Sequence, residues 1–355
     1  MPVLTVYDGS SNIGGNKIYL EENGRGILLD FGMNFAKYGE YYQEFLKERS
    51  NRGIYDLINL EMIPKINIYR RDLIPADLDP SPWAKLSVEA TLVSHAHLDH
   101  TGNVGLLRGD IPIIASATTV AILKAMRDTA PSGIGSEVSY YSEKNQLDGC
   151  GGLVLESERG GSYTARDMYL CTEPTQELRE FATHRPGSDS KKGKSIEAGA
   201  VEHHSLLKLP FEVEPYPVDH SILGATAYLL KCDITIAYTG DYRLHGANSE
   251  KTRAFIKAAK NAATLITEGT RVGRESDKEV TEQDVEDNCL LATEGEKGLV
   301  VADFSARNFE RLRTFTGVAQ KTGRTLLVTA KDACARAHRL RDSRLAWFAP
   351  NLGED

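Results

Sequence analysis

Three histidines and an aspartate stand within six positions, in the run His95-Ala-His97-Leu-Asp99-His100. Imidazole and carboxylate groups suit zinc or manganese, because each donates one lone pair at about 2.0–2.2 Å. The apolar residues before the run predict a buried strand, and the alternation of His95 and His97 sends both imidazoles to the same side. Four ligands this close cannot all reach one tetrahedral ion without strain. The spacing therefore predicts two adjacent metal ions.

Strands are expected to carry this cluster. Short β-type runs open the chain, and turn signals such as Gly14-Gly15 and Asn23-Gly24 separate them. Further strands and a helix are predicted along the next two hundred residues. The strands are predicted at 3–7, 17–20, 26–31, 92–94, 111–115, 211–217, 225–230 and 235–238, and the helix at 118–127. Residues 131–200 are rich in Gly and Ser and are predicted to contain an exposed loop at 187–194.

The pattern changes after Asp241, where helices alternate with apolar strands. Helices are predicted at 251–262, 281–293, 309–322 and 334–344, and strands at 265–267, 299–302 and 325–328. Such alternation is typical of βαβ units around a parallel sheet. The shift predicts two domains, 1–245 and 246–355.

Composition limits the broad class. The chain has 355 residues, 41% hydrophobic and 26% charged, which is typical of a globular protein. There is no apolar run of the roughly 18 residues that a membrane helix requires, and the start lacks the features of a signal peptide. The five cysteines are scattered, as expected for reduced thiols that serve packing. We therefore expect a cytoplasmic protein without a membrane partner.

Charge is unevenly distributed. The net charge is −8, yet residues 301–344 contain ten Lys or Arg and four acidic residues, which makes that segment +6 and the remainder −14. A locally basic end could steer a polyanion, or could simply form solvated helix faces. Charge alone leaves both interpretations open.

The order H-x-H-x-D-H after a buried strand resembles the sequence signature of the metallo-β-lactamase family. Its fold is an αββα sandwich with metals at the edge of its sheets. Three further segments resemble other sequence motifs of that family: Leu29-Asp30-Phe-Gly, Val218-Asp219-His220-Ser and Tyr238-Thr-Gly-Asp241. The resemblance implies that His95, His97 and His220 bind a first ion, that Asp99 and His100 bind a second, and that Asp241 bridges the two. Asp30 would support a ligand without binding metal itself. The resemblance also implies that residues 131–200 form an insertion.

The C-terminal third resembles the β-CASP cap, a Rossmann-like α/β domain found in nucleic-acid-processing members such as ribonuclease J-like and archaeal cleavage-factor-like proteins. The resemblance rests on Leu265-Ile-Thr-Glu268-Gly-Thr, on the segment Val300 to Arg311 and on Gly323-Arg-Thr-Leu-Leu. It implies that Glu268, Ser305, Arg307 and Asn308 line the substrate cleft. The family's final histidine ligand has no match in the 114 residues after Asp241 (355 − 241), so the cap is expected to be incomplete.

The predicted activity is a metal-dependent ribonuclease, exo- or endonucleolytic, acting on single-stranded RNA; DNA stays open as a substrate. The cofactors would be two divalent ions, zinc or alternatively manganese. A hydroxide held by the ions would attack phosphorus, with Asp99 or Asp219 orienting it. Two alternatives remain: a small-molecule thioesterase or lactonase of the same fold, and a catalytically eroded RNA-processing scaffold. The sequence leaves monomer and homodimer equally open.

Overall fold

The structure, a computed structural model, describes residues 1–42, 46–129, 133–157, 160–186, 194–197, 199–270, 272–273, 280–305 and 307–328. The described residues form sixteen strands and eight α-helices. The strands are β1 (Val3–Asp8), β2 (Lys17–Glu22), β3 (Arg25–Phe31), β4 (Val88–Leu92), β5 (Ile113–Ala115), β6 (Tyr140–Tyr141), β7 (Lys144–Gln146), β8 (Leu155–Ser157), β9 (Tyr163–Ala165), β10 (Met168–Leu170), β11 (Ile196–Glu197), β12 (Val201–His203), β13 (Glu212–Pro217), β14 (Thr226–Lys231), β15 (Thr235–Tyr238) and β16 (Thr264–Ile266). The helices are α1 (Phe35–Tyr41), α2 (Tyr55–Asn59), α3 (Leu98–Thr101), α4 (Ala117–Thr129), α5 (Gln176–Thr183), α6 (Ser249–Ala259), α7 (Glu282–Thr293) and α8 (Phe309–Lys321). None of these helices combines the length and the apolar character that crossing a membrane requires.

Two larger sheets form the centre of the molecule. The first has seven strands in the order β1-β2-β3-β4-β5-β10-β12, antiparallel at the β1 end and parallel from β3 onward. The second has four strands in the order β13-β14-β15-β16, of which only the β15–β16 pair is parallel. Two small sheets, β11-β9-β6 and β7-β8, complete the described strands.

Side-chain alternation explains why the two larger sheets stack. On β3, Ile27 and Leu29 point to one face and Leu28 to the other, and all three side chains are fully buried. The first face packs against Tyr228 and Leu230 of β14, which makes an apolar layer between the sheets. Leu28 instead joins the core beneath the helices on the outer side of the seven-stranded sheet.

The four-stranded sheet has its own helical cover. Ala227 and Leu229 of β14 alternate with the residues facing the other sheet, and they pack with Phe255 of α6. The order of layers is therefore helices, seven-stranded sheet, four-stranded sheet, helix α6. This is the αββα sandwich that the sequence predicts.

Most predicted elements before Asp241 match observed ones within a few residues. The stretch 131–200 is more ordered than predicted, because β10 lies within it and pairs in parallel with β5 and β12 of the main sheet. The exposed loop predicted at 187–194 falls mainly outside the described residues.

The C-terminal third departs from the predicted alternation. The predicted strands 299–302 and 325–328 have no strand pairing in the part of the chain that the structure describes, and Leu299 and Leu327 are more than four-fifths exposed. An apolar run is a strand only where a neighbouring strand accepts its backbone hydrogen bonds, and none lies beside these two. Conversely β16, beyond the predicted domain boundary at 245, pairs with β15 of the first domain's sheet. The predicted helix 334–344 lies outside the described residues.

Candidate metal centre

The ends of three strands bring the predicted ligands to one edge of the sandwich. The loop after β4 carries His95 and His97 and continues into α3, which carries Asp99 and His100. His220 lies in the loop after β13, and Asp241 follows β15. Since β13 and β15 both run antiparallel to β14, their carboxyl ends face the same edge. Loops at such an edge present side chains from a rigid scaffold.

Three imidazoles form the first group of potential ligands. Nδ1 of His97 lies 3.0 Å from Nε2 of His95 and 3.3 Å from Nε2 of His220. Ligand atoms placed tetrahedrally at about 2.0–2.1 Å from one ion are roughly 3.3 Å apart. Both separations are close to what a single tetrahedral ion requires, and the ligand atoms of all three histidines lie within 4.8 Å of one another.

A second group lies beside the first. Potential ligand atoms of His95, Asp99 and His100 all fall within 4.8 Å of one another. One oxygen of Asp241, Oδ1, is 3.2 Å from Nε2 of His100, whereas Oδ2 is 3.8 Å from Nε2 of His220. Asp241 thus offers one oxygen to each group, as a bridging carboxylate must. The structure brings all six predicted ligands together, and their donor types fit divalent metal ions.

Asp30 is the buried acceptor beneath these ligands. It is fully buried at the end of β3, with the positive φ of 57° that non-glycine residues rarely adopt. Its carboxylate accepts hydrogen bonds from Nδ1 of His100 at 2.6 Å, from the backbone N–H and hydroxyl of Ser94 at 2.7 Å each, and from the hydroxyl of Tyr238. Because Nδ1 of His100 donates to Asp30, Nε2 is the nitrogen that faces the ligand cluster.

Burial keeps three of the histidines neutral. Desolvation, followed by the charges of neighbouring imidazoles, lowers the pKa of His97 to about 3. Desolvation also lowers the pKa of His220 to about 4, against the opposing effect of Asp241, and lowers that of His95 well below its usual value. At neutral pH these imidazoles carry a free lone pair, which is the form that binds metal.

His100 and the carboxylates have a different electrostatic environment. Burial lowers the pKa of His100, but Asp30 and Asp241 outweigh it and raise that pKa well above its usual value. Burial likewise tends to raise the pKa of Asp241, yet hydrogen bonding to His100 leaves it lowered. The pKa of Asp99 is raised by burial. In the metal-free protein the second group is therefore held together as an ion-paired cluster.

Two of the predicted substrate residues lie close to these ligands. The carboxylate of Glu268 accepts the Tyr242 N–H at 2.9 Å, and its pKa is raised by burial and by the nearby charge of Asp241. Arg307 is half-buried, and burial lowers the pKa of its guanidinium. The nearby Asp99 carboxylate opposes this lowering.

The other predicted residues have mainly structural contacts. The Asn308 side chain caps α8 by accepting the Arg311 N–H at 3.0 Å. Ser305 is exposed, and its hydroxyl lies 3.4 Å from the backbone nitrogen of Arg307. Asp219 is buried, and its carboxylate pairs with Arg243.

Sequence reasoning missed three residues around the ligands. The Asn16 amide nitrogen is 3.2 Å from Nε2 of His100, and the Ser94 hydroxyl is 3.0 Å from Nδ1 of His95. Arg243 contacts Asp219. Ser94 directly precedes the ligand His95 and Arg243 follows the ligand Asp241 by two residues, which is a usable signal. Asn16 comes from a distant hairpin and offers none.

The layered architecture and the ligand arrangement at its edge define a protein of the metallo-β-lactamase fold. No protein-family model matches the chain. It is 23% identical over 354 residues to ribonuclease J of Methanocaldococcus jannaschii, covering 97% of this chain and 63% of that protein. It is 24% identical over 332 residues to ribonuclease J of Pyrococcus abyssi, covering 91% of this chain and 58% of that protein.

A solved structure of a protein of unknown function from Enterococcus faecalis V583 has a similar fold. The two structures superimpose with a TM-score of 0.60 and are 22% identical in sequence. The match covers 94% of this chain and 66% of the other. The chain is thus similar along most of its length to proteins named ribonuclease J, and it spans somewhat under two thirds of the length of these curated relatives.

Proposed function

We propose that the chain is a metal-dependent phosphodiesterase that hydrolyses RNA at a site for two divalent ions. The observation that carries the proposal is the meeting of two ligand groups with Asp241 between them, its two oxygens 3.2 Å and 3.8 Å from His100 and His220 respectively. The sequence relationship to proteins named ribonuclease J supports RNA as the substrate class.

In this proposal His95, His97 and His220 hold the first ion and Asp99 and His100 the second, with Asp241 shared. Zinc is the favoured metal and manganese the alternative, since both accept imidazole and carboxylate ligands. Such ions would lower the pKa of a water molecule and neutralise charge on the phosphate. Asp30 fixes the orientation of His100 through the 2.6 Å hydrogen bond to Nδ1.

The remaining residues act on the substrate around the ions. Asp99, with its raised pKa, is proposed to orient the attacking nucleophile as well as to bind metal. Arg307 is proposed to contact a non-bridging phosphate oxygen, because its guanidinium lies near Asp99 and the ligand cluster. Glu268, Ser305 and Asn308 would line the same cleft.

A cavity beside His220 supports a polymeric substrate. It has a volume of about 290 Å³, and its walls include Ser221 and Asn248 on one side and Arg313 and Thr314 of α8 on the other. Arg313 is exposed and has no ion-pair partner among the described residues. A nucleotide next to the scissile phosphate would find hydrogen-bonding groups and the charge of Arg313 there, since the two glutamates in the wall, Glu286 and Glu310, are paired with Lys321 and Arg243.

The test uses 5′-labelled single-stranded RNA, the same sequence as DNA, and the small diester bis(p-nitrophenyl) phosphate. Protein stripped of metal is reloaded with Zn²⁺ or Mn²⁺, and His97→Ala is compared with His203→Ala, a matched histidine outside the ligand cluster. RNA cleavage that requires metal and His97 but not His203 supports the proposal. Hydrolysis of thioesters or lactones with intact RNA would instead identify a small-molecule hydrolase. Metal-independent RNA binding without cleavage would identify an eroded scaffold.

A further inference from the structure

One arginine joins three segments that each carry a residue of the candidate site. The Arg243 guanidinium donates from Nε to Oδ2 of Asp219 at 3.1 Å and from Nη2 to Oδ1 at 3.3 Å. The backbone N–H of Arg243 donates to the Asp219 carbonyl at 2.8 Å. Nη2 also donates to the carboxylate of Glu310 on α8. These contacts form an ion triad, Asp219–Arg243–Glu310.

The members of the triad are sequence neighbours of the site. Asp219 immediately precedes the ligand His220, and Arg243 follows the ligand Asp241 by two residues. Glu310 follows Arg307 by three residues. A single guanidinium therefore fixes the distance between two ligand loops and also the approach to those loops of α8, which begins two residues after Arg307.

The surroundings leave the triad little freedom. The Asp219 side chain is 1% exposed, and its backbone N–H donates to the hydroxyl of Thr252, which is fully buried on α6. A Cβ at Gly246 would lie 2.1 Å from Oδ2 of Asp219 and 2.3 Å from Nε of Arg243, so any other residue there would displace this ion pair. Both carboxylate oxygens of Asp219 accept hydrogen bonds from Arg243, and with the side chain 1% exposed the carboxylate is not open to a solvent nucleophile.

We propose that Arg243 is a positioning residue with two separable effects, and that Asp219 acts through it instead of on the substrate. Its contact with Asp219 sets the geometry of His220 and Asp241 and hence metal affinity. Its contact with Glu310 sets the position of α8 and hence the binding of the polynucleotide. The second effect rests on the function proposed above, whereas the first requires only that the ligands bind metal.

Three variants separate the two effects. Arg243→Lys keeps the charge but cannot hold Asp219 with two parallel hydrogen bonds and Glu310 as well. Asp219→Asn removes the first contact, and Glu310→Gln removes the charge of the second. The control is Arg311→Lys, because Arg311 makes a comparable two-nitrogen contact between α8 and Glu282 of α7 without involving a ligand loop.

The first readout is zinc affinity, measured by competition with a chromogenic chelator on protein whose fold is verified by circular dichroism. Partners that orient metal ligands typically change affinity by about 10–100-fold. We expect that loss in Arg243→Lys and in Asp219→Asn, with no further loss in the double variant because both remove one interaction. Glu310→Gln and Arg311→Lys should stay within about twofold of the wild type. Wild-type zinc affinity in folded Arg243→Lys would overturn the first effect.

The second readout is kinetic and structural. Glu310→Gln should raise KM for RNA by about tenfold, with kcat for RNA and turnover of bis(p-nitrophenyl) phosphate within twofold. Its α8 peptides should exchange amide hydrogens faster, since α8 loses its tie to the loop carrying Arg243. An unchanged KM together with unchanged exchange would overturn the second effect. A wild type inactive on RNA would refute the proposed function and with it the effect on polynucleotide binding, yet zinc affinity would still decide the first effect and exchange would still decide whether Arg243 positions α8.

Discussion

Gly32 is the position where a single methyl group should remove one metal ion and leave the other. It follows β3 and packs directly against the first turn of α3. A Cβ at this position would lie 1.6 Å from the carbonyl oxygen of Asp99 and 2.7 Å from the backbone nitrogen of His100. Gly32→Ala therefore drives a backbone segment away, and that segment carries both ligands assigned to the second ion.

The size of the displacement follows from these distances. Cβ atoms essentially never come within 3.0 Å of a non-bonded atom, so the Asp99 carbonyl must retreat by at least about 1.4 Å (3.0 − 1.6). Metal–ligand bonds tolerate only about 0.2 Å. We expect binding of the second ion to weaken by at least about 100-fold, beyond the effect of losing an outer partner. Overpacking of this kind should also cost about 1–3 kcal/mol of stability.

The measurement is the number of zinc equivalents retained after dialysis against a buffer of fixed free zinc, determined by plasma mass spectrometry. Gly32→Ala should keep one of two equivalents, because His95 and His220 lie outside the displaced turn and His97 contacts it only as its N-cap, through the backbone carbonyl. Gly39→Ala is the control, since a Cβ there meets no atom within 4 Å and α1 should gain about 0.5–1 kcal/mol. If Gly32→Ala retained both equivalents at wild-type affinity, the assignment of Asp99 and His100 to a second ion would be wrong.

Three further predictions concern buried polar groups. Asp30→Asn should lower zinc affinity by about 10–100-fold in chelator competition, because its amide would face hydrogen-bond donors, among them Nδ1 of His100. Burial lowers the pKa of Lys17 to about 8 despite its contact with Asp8, so the folded state releases this proton before the unfolded state does. Stability should therefore rise between pH 8 and about 10.5 by about 1.4 kcal/mol per unit relative to Lys17→Met, as urea unfolding would measure. Arg166→Met should cost about 3 kcal/mol in the same assay and leave zinc affinity unchanged, because the fully buried Arg166 donates to four backbone carbonyls away from the ligands.

Local patterns predicted the strands and the 95–100 ligand cluster because that information is contiguous in the chain, whereas the sandwich and the ligands His220 and Asp241 were implied by the family resemblance. His95 to His100 directly follow a buried strand, and β13, β14 and β15 alternate or run apolar as sheet residues do. The period of two in these strands determines which side chains face the second sheet. No knowledge of distant residues is needed for either inference.

The missed features depend on partners far away in sequence. β10 has three residues and becomes a strand only because β5 and β12 flank it. Residues 299–302 have a similar apolar composition but lack such neighbours among the described residues, so the same local pattern gives no strand. Asn16 reaches His100 across 84 positions, a contact that no spacing rule reveals.

The two sheets meet through a mainly apolar layer, and the metal centre lies across the edge of that layer. A few hydrogen bonds also join the sheets, among them those from the Tyr228 hydroxyl to the Val93 carbonyl and from the Thr226 N–H to the Ser94 carbonyl. His95 and His97 follow a strand of one sheet and His220 follows a strand of the other, so an ion coordinated by all three would link the two sheets at this edge. Binding of such an ion would raise the free energy of unfolding, and the increase would grow with the logarithm of the free metal concentration. The supply of metal would then govern how long the folded molecule survives proteolysis as well as whether it turns over substrate.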